Sequence, residues 1–387
     1  MSLNHFPEPA FMADDELRMF ADSVGKFLER NAPPERVAAW RAEGMVERAF
    51  WREAGQAGLL GVSVPTDYGG GGGDFRHDVV VAEQVIRRGV EGFAAGLHNV
   101  IITPYIQAHG TEGQKSKWLP LLANGERVAA IAMSEPGAGS DLQSIRTSAV
   151  RDGNGYRING AKTFISNGRL ADLIVVVAKT DPKEGAKGVS LFVVEPDEVE
   201  GFRRGRKLDK VGLDAQDTSE LFFDDVWVPA ENLLGRSEGQ GFYQLMHELP
   251  RERLLIALGS AVAMEKALEV TLAYVKERKA FGQPVFDFQN SQFVLADCKA
   301  KAVVARVFVN DCIERVLAGT LDATTASIAK LWVTEAHGEL VDACLQLHGG
   351  YGYINDYPIA RMWRDARVQR IYGGSSEIMK LLIARSL

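Results

Sequence analysis

The residues best suited to ligand chemistry lie together at positions 131–141, which read Ile-Ala-Met-Ser-Glu-Pro-Gly-Ala-Gly-Ser-Asp. An apolar run ends there in Ser134, a proline–glycine turn and a second turn of small residues. Glycine and alanine let main chain approach a flat or phosphorylated ligand, while hydroxyl and backbone N–H groups donate hydrogen bonds. A glycine-rich turn taken alone is more typical of a tight loop. The stretch therefore predicts a ligand loop only where other motifs support it.

Composition excludes several classes of function. The chain has 387 residues, of which 46% are hydrophobic and 25% charged, so two or three globular domains are expected. No run approaches the roughly 18 apolar residues of a membrane span, and no export signal is visible at the N-terminus. A net charge of −7 argues against nucleic-acid binding. The basic run at 203–207 is more typical of a solvated loop or strand edge.

The three cysteines indicate a reducing compartment. Cys298, Cys312 and Cys344 are odd in number and form no C-x-x-C pair. They predict no disulfide framework and no zinc site, and the sequence as a whole predicts no metal centre. We therefore expect a cytoplasmic protein.

The predicted secondary structure changes twice along the chain, which predicts three domains. These domains must position the ligand loop. Residues 1–126 are mostly helical, 127–237 contain short β runs, and 238–387 return to the helical period. The β runs suggest a small antiparallel barrel or sandwich; they are Leu173–Ala178, Val189–Val194 and Glu220–Val228. The run Gly69–Gly73 lacks a following Lys-Ser/Thr and predicts a flexible connection.

Apolar residues at three- and four-residue spacing predict long antiparallel bundle helices in the C-terminal region. One predicted buried face comprises Ala326, Ala329, Val333, Ala336, Leu340 and Cys344. The other comprises Val294, Cys298, Lys301, Ala305, Phe308, Cys312 and Val316. The fold class is therefore mainly α with a central β domain.

Five motifs in order resemble the acyl-CoA dehydrogenase family over about residues 10 to 385. They are Glu135–Asp141, Lys162–Gly168, Glu277–Gly282, Gln346–Gly352 and Ile371–Glu377. The resemblance implies an N-terminal helical domain, a β barrel or sandwich, and a C-terminal four-helix bundle. It is nearest to the long-chain and isovaleryl-type members.

The resemblance implies FAD between the β domain and the bundle. Residues beside the flavin ring would be Ile131, Met133, Ser134, Phe164 and Ser166. Arg278 would contact the cofactor phosphates from a neighbouring subunit, as a forked and permanent cation can. Further cofactor contacts would come from Phe281, Gln289, Gln346, Gly350, Ser375 and Glu377. Because two chains share each site, the resemblance implies a homo-oligomer, expected to be a tetramer.

The position of the catalytic base departs from many family members. Their glutamate follows Ile-Tyr, where this chain has Gly373. Long-chain and isovaleryl-type members instead place it at the start of a bundle helix, just before an arginine, which here makes Glu252 the candidate base and Glu248 the backup. Outside that context, a glutamate soon after a proline is more typical of a first helical turn stabilised by the helix dipole.

The remaining substrate contacts follow from the same resemblance. The backbone N–H of Gly373 would hold the thioester oxygen, and Arg253 would fix helix geometry and the channel. Ser140, Tyr243 and Gly374 would line that channel. Gly92 and Gly96 lie four residues apart, and small residues there favour medium-to-long acyl chains, although close helix packing explains them equally well.

The resemblance implies α,β-dehydrogenation of an acyl-CoA thioester to trans-2-enoyl-CoA. Glu252 would act as base, the hydride would pass to flavin N5, and an electron-transfer flavoprotein would accept the electrons. Three alternatives stay open: an isovaleryl or other branched-chain dehydrogenase, an oxidase or monooxygenase on the same fold, and a non-catalytic acyl-CoA-binding protein.

Overall fold

A computed structural model of the protein describes residues 6–387. The N-terminal region is helical, and polar side chains start three of its helices. Asp14 accepts from the N–H of Glu16, and capping boxes pair Asp74 with His77 and Thr111 with Gln114. The helices are α1 (Asp15–Asn31), α2 (Pro34–Glu43), α3 (Arg48–Gln56), α4 (Phe75–Arg87), α5 (Thr103–His109) and α6 (Glu112–Ala123). A wider π-helical turn, Leu97–Ile102, leads directly into α5.

The glycine run is packed rather than flexible, which corrects the sequence-based expectation. The N–H groups of Gly72 and Gly73 donate to the carbonyls of Val64 and Val62, both at 2.9 Å. A Cβ on Gly70 would collide with the backbone of Val64. Glycine is needed here because two main-chain segments lie in direct contact.

The central region is a β domain, as the β runs predict, but its seven-stranded sheet is mixed rather than wholly antiparallel, because β1 and β2 both pair with β4 in parallel. Its strands are β1 (Ala129–Ala132), β2 (Ser148–Asp152), β3 (Gly155–Ser166), β4 (Leu173–Lys179), β5 (Val189–Val194), β6 (Phe202–Lys207) and β7 (Thr218–Pro229). The order is β1-β4-β2-β3-β7-β6, and β5 pairs with β4. Every residue of β4 and β5 is buried, which explains why these two strands read as continuous apolar runs. Strand β1 runs parallel to β4, so its end delivers residues 133–141 to one edge.

Three long helices dominate the C-terminal region. They are α7 (Gly241–Glu277), α8 (Gln289–Leu317) and α9 (Ala323–His348); the shorter α10 (Pro358–Ala366) and α11 (Ser376–Ala384) follow. A small hairpin, β8 (Lys279–Ala280) and β9 (Gln283–Pro284), joins α7 to α8. No helix among residues 6–387 is long and apolar enough to cross a membrane.

The predicted face of α9 is confirmed, because all six of its residues are buried. The predicted face of α8 is partly wrong. Cys298, Ala305 and Cys312 are buried, but Lys301 is only half-buried and pairs with Glu339 at the surface. Since α8 has a buried arginine, Arg306, in its core face, apolarity alone does not locate that face.

Candidate active site

One large cavity, of about 920 Å³, lies between the β1–β3 edge of the sheet and helices α4, α7, α9, α10 and α11. It brings together residues that are far apart in the sequence. The predicted site residues that line it are Ile131, Met133, Ser134, Ser140, Phe164, Ser166, Glu252, Arg253, Gly373 and Gly374. The cavity therefore has one wall from the β domain and another from the bundle.

Glu135 holds the ligand loop in shape. Its carboxylate accepts from the backbone N–H groups of Arg146 (2.6 Å) and Thr147 (2.9 Å) and from Nζ of Lys162 (2.9 Å). Burial acts against its charged form, but Lys162 and these donors lower the pKa of Glu135 below its ordinary value. Burial lowers the pKa of Lys162 to about 8. Sequence reasoning missed this buried pair, although both residues lie within family motifs.

Phe164 presents an aromatic ring to the cavity. It lies at φ 60° in β3, next to an irregularity between Lys162 and Ile165. Phe164 is 69% exposed in the single chain, although large apolar residues are more often buried. The half-buried Ile131 and Met133 lie on the same wall. This wall therefore offers apolar surface with the hydroxyls of Ser134 and Ser166 beside it.

Glu252 lies in the bundle wall, with only 5% of its surface exposed. The hydroxyl of Tyr105, on α5, donates to Oε1 of Glu252 at 2.7 Å. Burial raises the pKa of Glu252 to about 7, although the Tyr105 hydrogen bond acts in the opposite direction. The site therefore contains a carboxyl group that exchanges its proton near neutral pH. Tyr105 was not predicted, because no sequence signal joins residues 147 positions apart.

The helical position of Glu252 differs from the sequence-based expectation. Pro250 indicates a helix start, but it lies inside α7, which begins at Gly241. Glu252 is thus well inside the helix, where the N-terminal dipole no longer acts. The expectation that Glu252 lies in the first turn of a bundle helix is therefore wrong, and the helix dipole does not explain its position.

Glu248 lies one turn before Glu252 and does not line the cavity. Its Oε1 is 2.8 Å from Nδ1 of His247 and 3.0 Å from Nε2 of His109. Burial raises the pKa of Glu248, but the two histidines outweigh burial and lower the pKa below its ordinary value. Glu248 therefore remains an ionised, paired carboxylate.

Two buried cations hold the Gly373–Gly374 turn. Nζ of Lys330 donates to the Gly374 carbonyl at 2.7 Å, and Nε of Arg253 donates to the Gly373 carbonyl at 3.4 Å. Burial and the charge of Arg253 lower the pKa of Lys330 to about 8. Gly373 has φ 65°, and a Cβ there would collide with Ile256. The turn therefore favours glycine and disfavours a side chain at the base position of other family members.

Lys330 is a further residue that sequence reasoning missed. The available signal is a lysine within the otherwise apolar period of α9, where it is fully buried. A buried lysine needs a partner, and the turn supplies one.

The cavity continues from Glu252 along α7 past Ile256, Gly259 and Ala263. The helical rise from Glu252 to Ala263 is about 16 Å. Gly96 borders this region, where a Cβ would lie 3.2 Å from the Leu255 methyl groups. Gly92 also borders the cavity but has φ 83°, and a Cβ there would collide with Ala215, so close packing accounts for this glycine. The two glycines thus have different roles.

The other predicted residues lie outside the cavity of the single chain. Tyr243 is 51% exposed and does not line it. Ser375 instead caps α11 by accepting from the N–H of Ile378, and Glu377 is exposed in the first turn of that helix. Residues at the ends of α7, α8 and α9 are all exposed; these are Arg278, Phe281, Gln289, Gln346 and Gly350. Phe281 is 97% exposed on the β8–β9 hairpin.

Comparisons with known proteins cover each part of this arrangement. The N-terminal, middle and C-terminal domain models of acyl-CoA dehydrogenases match residues 14–126, 130–226 and 239–387. The chain is 47% identical to the mitochondrial long-chain specific acyl-CoA dehydrogenase of Sus scrofa, over 95% of this chain and 86% of that protein. It is 37% identical to the mitochondrial isovaleryl-CoA dehydrogenase of Solanum tuberosum, over 98% and 92%.

A solved structure has the same fold. The acyl-CoA dehydrogenase from Geobacillus kaustophilus is 49% identical and superposes with a TM-score of 0.95, covering 98% of this chain and 99% of that chain. The middle and C-terminal domain models span all five expected motifs. The relatives match nearly the whole chain. The chain belongs to the acyl-CoA dehydrogenase family.

Proposed function

We propose that this acyl-CoA dehydrogenase oxidises long-chain acyl-CoA thioesters to trans-2-enoyl-CoA, with Glu252 as the base. The main support is the position of the Glu252 carboxyl group, which is buried in the cavity wall. Burial raises the pKa of this group to about 7. Removing the weakly acidic α-proton needs a stronger base than an ordinary carboxylate of pKa about 4.3. Desolvation supplies that basicity near neutral pH.

The cofactor is FAD, which accepts the β-hydrogen as hydride when it is bound. The β-domain wall fits an isoalloxazine, which has apolar faces and a polar edge. Ile131, Met133 and Phe164 supply apolar contact, while the hydroxyls of Ser134 and Ser166 supply donors. The buried Glu135–Lys162 pair fixes this wall before any ligand binds.

The Gly373–Gly374 turn positions the thioester. A backbone N–H in this turn donates to the thioester oxygen, on which negative charge develops as the α-proton leaves. Lys330 and Arg253 hold the two carbonyls of the turn, so its orientation is set in advance. Ser140 lines the substrate channel on the opposite wall, and we assign Tyr243 to the mouth of the channel.

The depth of the cavity favours a long acyl chain over isovaleryl. From Glu252 the lining continues about 16 Å along α7, through small side chains at Gly259 and Ala263. A branched five-carbon acyl group fills only the start of this space. The 47% identity to the long-chain enzyme supports the same assignment.

The exposed cofactor-binding residues support a homo-oligomer, which we propose is a tetramer. Arg278 and Phe281 lie on the protein surface, and the large apolar residues Phe293, on α8 after Gln289, and Tyr353, soon after Gly350, are exposed as well. Exposed aromatic groups of this size are typical of protein interfaces. In this proposal Arg278, Phe281, Gln289, Gln346 and Gly350 complete the cofactor site of a neighbouring subunit. Ser375, which caps α11, and Glu377, in its first turn, contact the cofactor in this proposal.

Anaerobic titration of the purified flavoprotein with acyl-CoAs of graded length tests the substrate assignment. We expect long straight chains to bleach the oxidised flavin band most readily, and isovaleryl-CoA least. Gly96→Leu narrows the deep region and should weaken long-chain reduction by about 10- to 200-fold, while short chains still react. Preferred bleaching by isovaleryl-CoA, or an unchanged chain-length preference in Gly96→Leu, contradicts the long-chain proposal.

Admitting air to the reduced protein then tests the electron acceptor. Slow reoxidation, accelerated by an electron-transfer flavoprotein, is expected of a dehydrogenase. Rapid reoxidation by oxygen alone identifies the protein as an oxidase. Ligand binding with no bleaching by any acyl-CoA identifies a non-catalytic protein.

A further inference from the structure

A compact group of metal-ligating side chains lies beside the active site. His109 ends α5, while His247 and Glu248 are neighbours in α7. Nδ1 of His247 and Nε2 of His109 lie 2.8 Å and 3.0 Å from the same oxygen, Oε1 of Glu248. One ligand atom from each of the three residues lies within 4.8 Å of the other two. The cysteine pattern gave no indication of this group.

We propose that His109, His247 and Glu248 form a binding site for a divalent transition-metal ion of the Zn²⁺ type. Two imidazole nitrogens and a carboxylate oxygen are a donor set that zinc uses in proteins. Bonds of about 2.0 to 2.2 Å around a tetrahedral ion place neighbouring ligand atoms about 3.3 to 3.6 Å apart. The two nitrogen–oxygen separations, 2.8 and 3.0 Å, are roughly half an ångström shorter than that spacing. The ligand atoms must therefore move apart slightly to admit an ion in place of the two hydrogen bonds.

The surroundings give the group both rigidity and an entrance. Glu248 is buried, and the His109 and His247 rings meet edge to face with centroids 5.3 Å apart. The His109 ring also packs near Tyr105, at 6.3 Å between centroids. In contrast, the His247 side chain is 70% exposed, which opens the group to solvent. Three protein ligands with one open side resemble a site that completes its coordination with water.

The site is separate from the proposed catalytic group. Glu248 lies one helical turn from Glu252, about 6 Å along the axis, and none of the three ligands lines the cavity. Metal binding can therefore be measured without turnover. Its failure would leave the assignment of Glu252 unchanged, and failure of that assignment would leave the metal site unchanged.

Calorimetric titration of the chelator-treated holoprotein with Zn²⁺ tests the proposal. We expect one ion per chain with a Kd on the order of micromolar, and Co²⁺ should give the visible absorption of a low-symmetry site. His247→Asn should weaken binding by at least about tenfold. Because the His247 side chain is mostly exposed, this variant should fold and keep its flavin spectrum.

His77→Asn is the matched control, since it removes a histidine on α4 that is outside the group. It should leave Zn²⁺ affinity unchanged. His109→Asn should repeat the loss seen for His247→Asn. Absence of one-to-one Zn²⁺ binding, or equal affinity in all three variants, would show that the group is only a hydrogen-bonded network.

Discussion

Glu248 and Glu252 leave the same helix one turn apart, yet their pKa values move in opposite directions. Burial acts on both carboxyl groups in the same sense. Glu248 meets two histidine rings, which stabilise its anion, whereas Glu252 meets a neutral tyrosine hydroxyl. The comparison shows that partners, rather than burial alone, decide which carboxyl group keeps its proton near neutral pH.

Burial of the Glu252 carboxyl group gives the largest expected effect on the free energy of unfolding. The folded-state pKa of Glu252 is about 7, above its ordinary value of 4.5, so the native state retains a proton that the unfolded state loses. The contribution of Glu252 to stability therefore falls as pH rises through that interval. Glu252→Gln should raise the free energy of unfolding by on the order of 3 kcal/mol at pH 8 and only slightly at pH 5.

Urea unfolding of the two holoproteins at both pH values measures this difference. Glu248→Gln should show no such gain at pH 8, because it removes a stabilised anion. Equal stability of the wild type and Glu252→Gln at pH 8 would mean that burial of the ionised Glu252 carboxylate does not destabilise the folded protein.

Tyr105→Phe should increase the difference between the pKa values of Glu252 and Glu248, with a smaller effect than Glu252→Gln. Losing a hydrogen bond to the anion raises the pKa of Glu252 further above about 7. Flavin reduction at pH 6 should slow by about tenfold and recover towards the wild-type rate at pH 9. Stopped-flow rates across this range measure the shift.

Tyr156→Phe is the control for Tyr105→Phe, because the Tyr156 hydroxyl donates to Glu238 in the β domain. It should leave the pH profile unchanged. An unshifted profile in Tyr105→Phe would remove Tyr105 from the account of Glu252.

Local patterns predicted much of the fold. The continuous apolar runs of β4 and β5 and the regular period of α9 each reflect burial of one short segment, which a sequence records directly. The ligand loop was likewise visible at 131–141. Glu252 was found through family resemblance, since its own surroundings pointed to an ordinary helix start.

Features that depend on distant residues were not predictable. Pro250 indicated a helix start, although the tertiary packing of α7 tolerates proline inside the helix. Tyr105 and Lys330 gain their roles only through contacts with Glu252 and Gly374 made by folding. The packing of Gly70 against Val64 likewise depends on how two loop segments meet.

Anaerobic stopped-flow reduction by one long-chain acyl-CoA, in the presence of EDTA, compares Glu252→Gln with Glu248→Gln most directly. The two variants replace the same carboxyl group with an amide on neighbouring turns of one helix. We expect Glu252→Gln to keep FAD and ligand binding but to reduce its flavin about a thousandfold more slowly, while Glu248→Gln stays within several-fold of the wild type. Wild-type reduction by Glu252→Gln would contradict the assignment of the base.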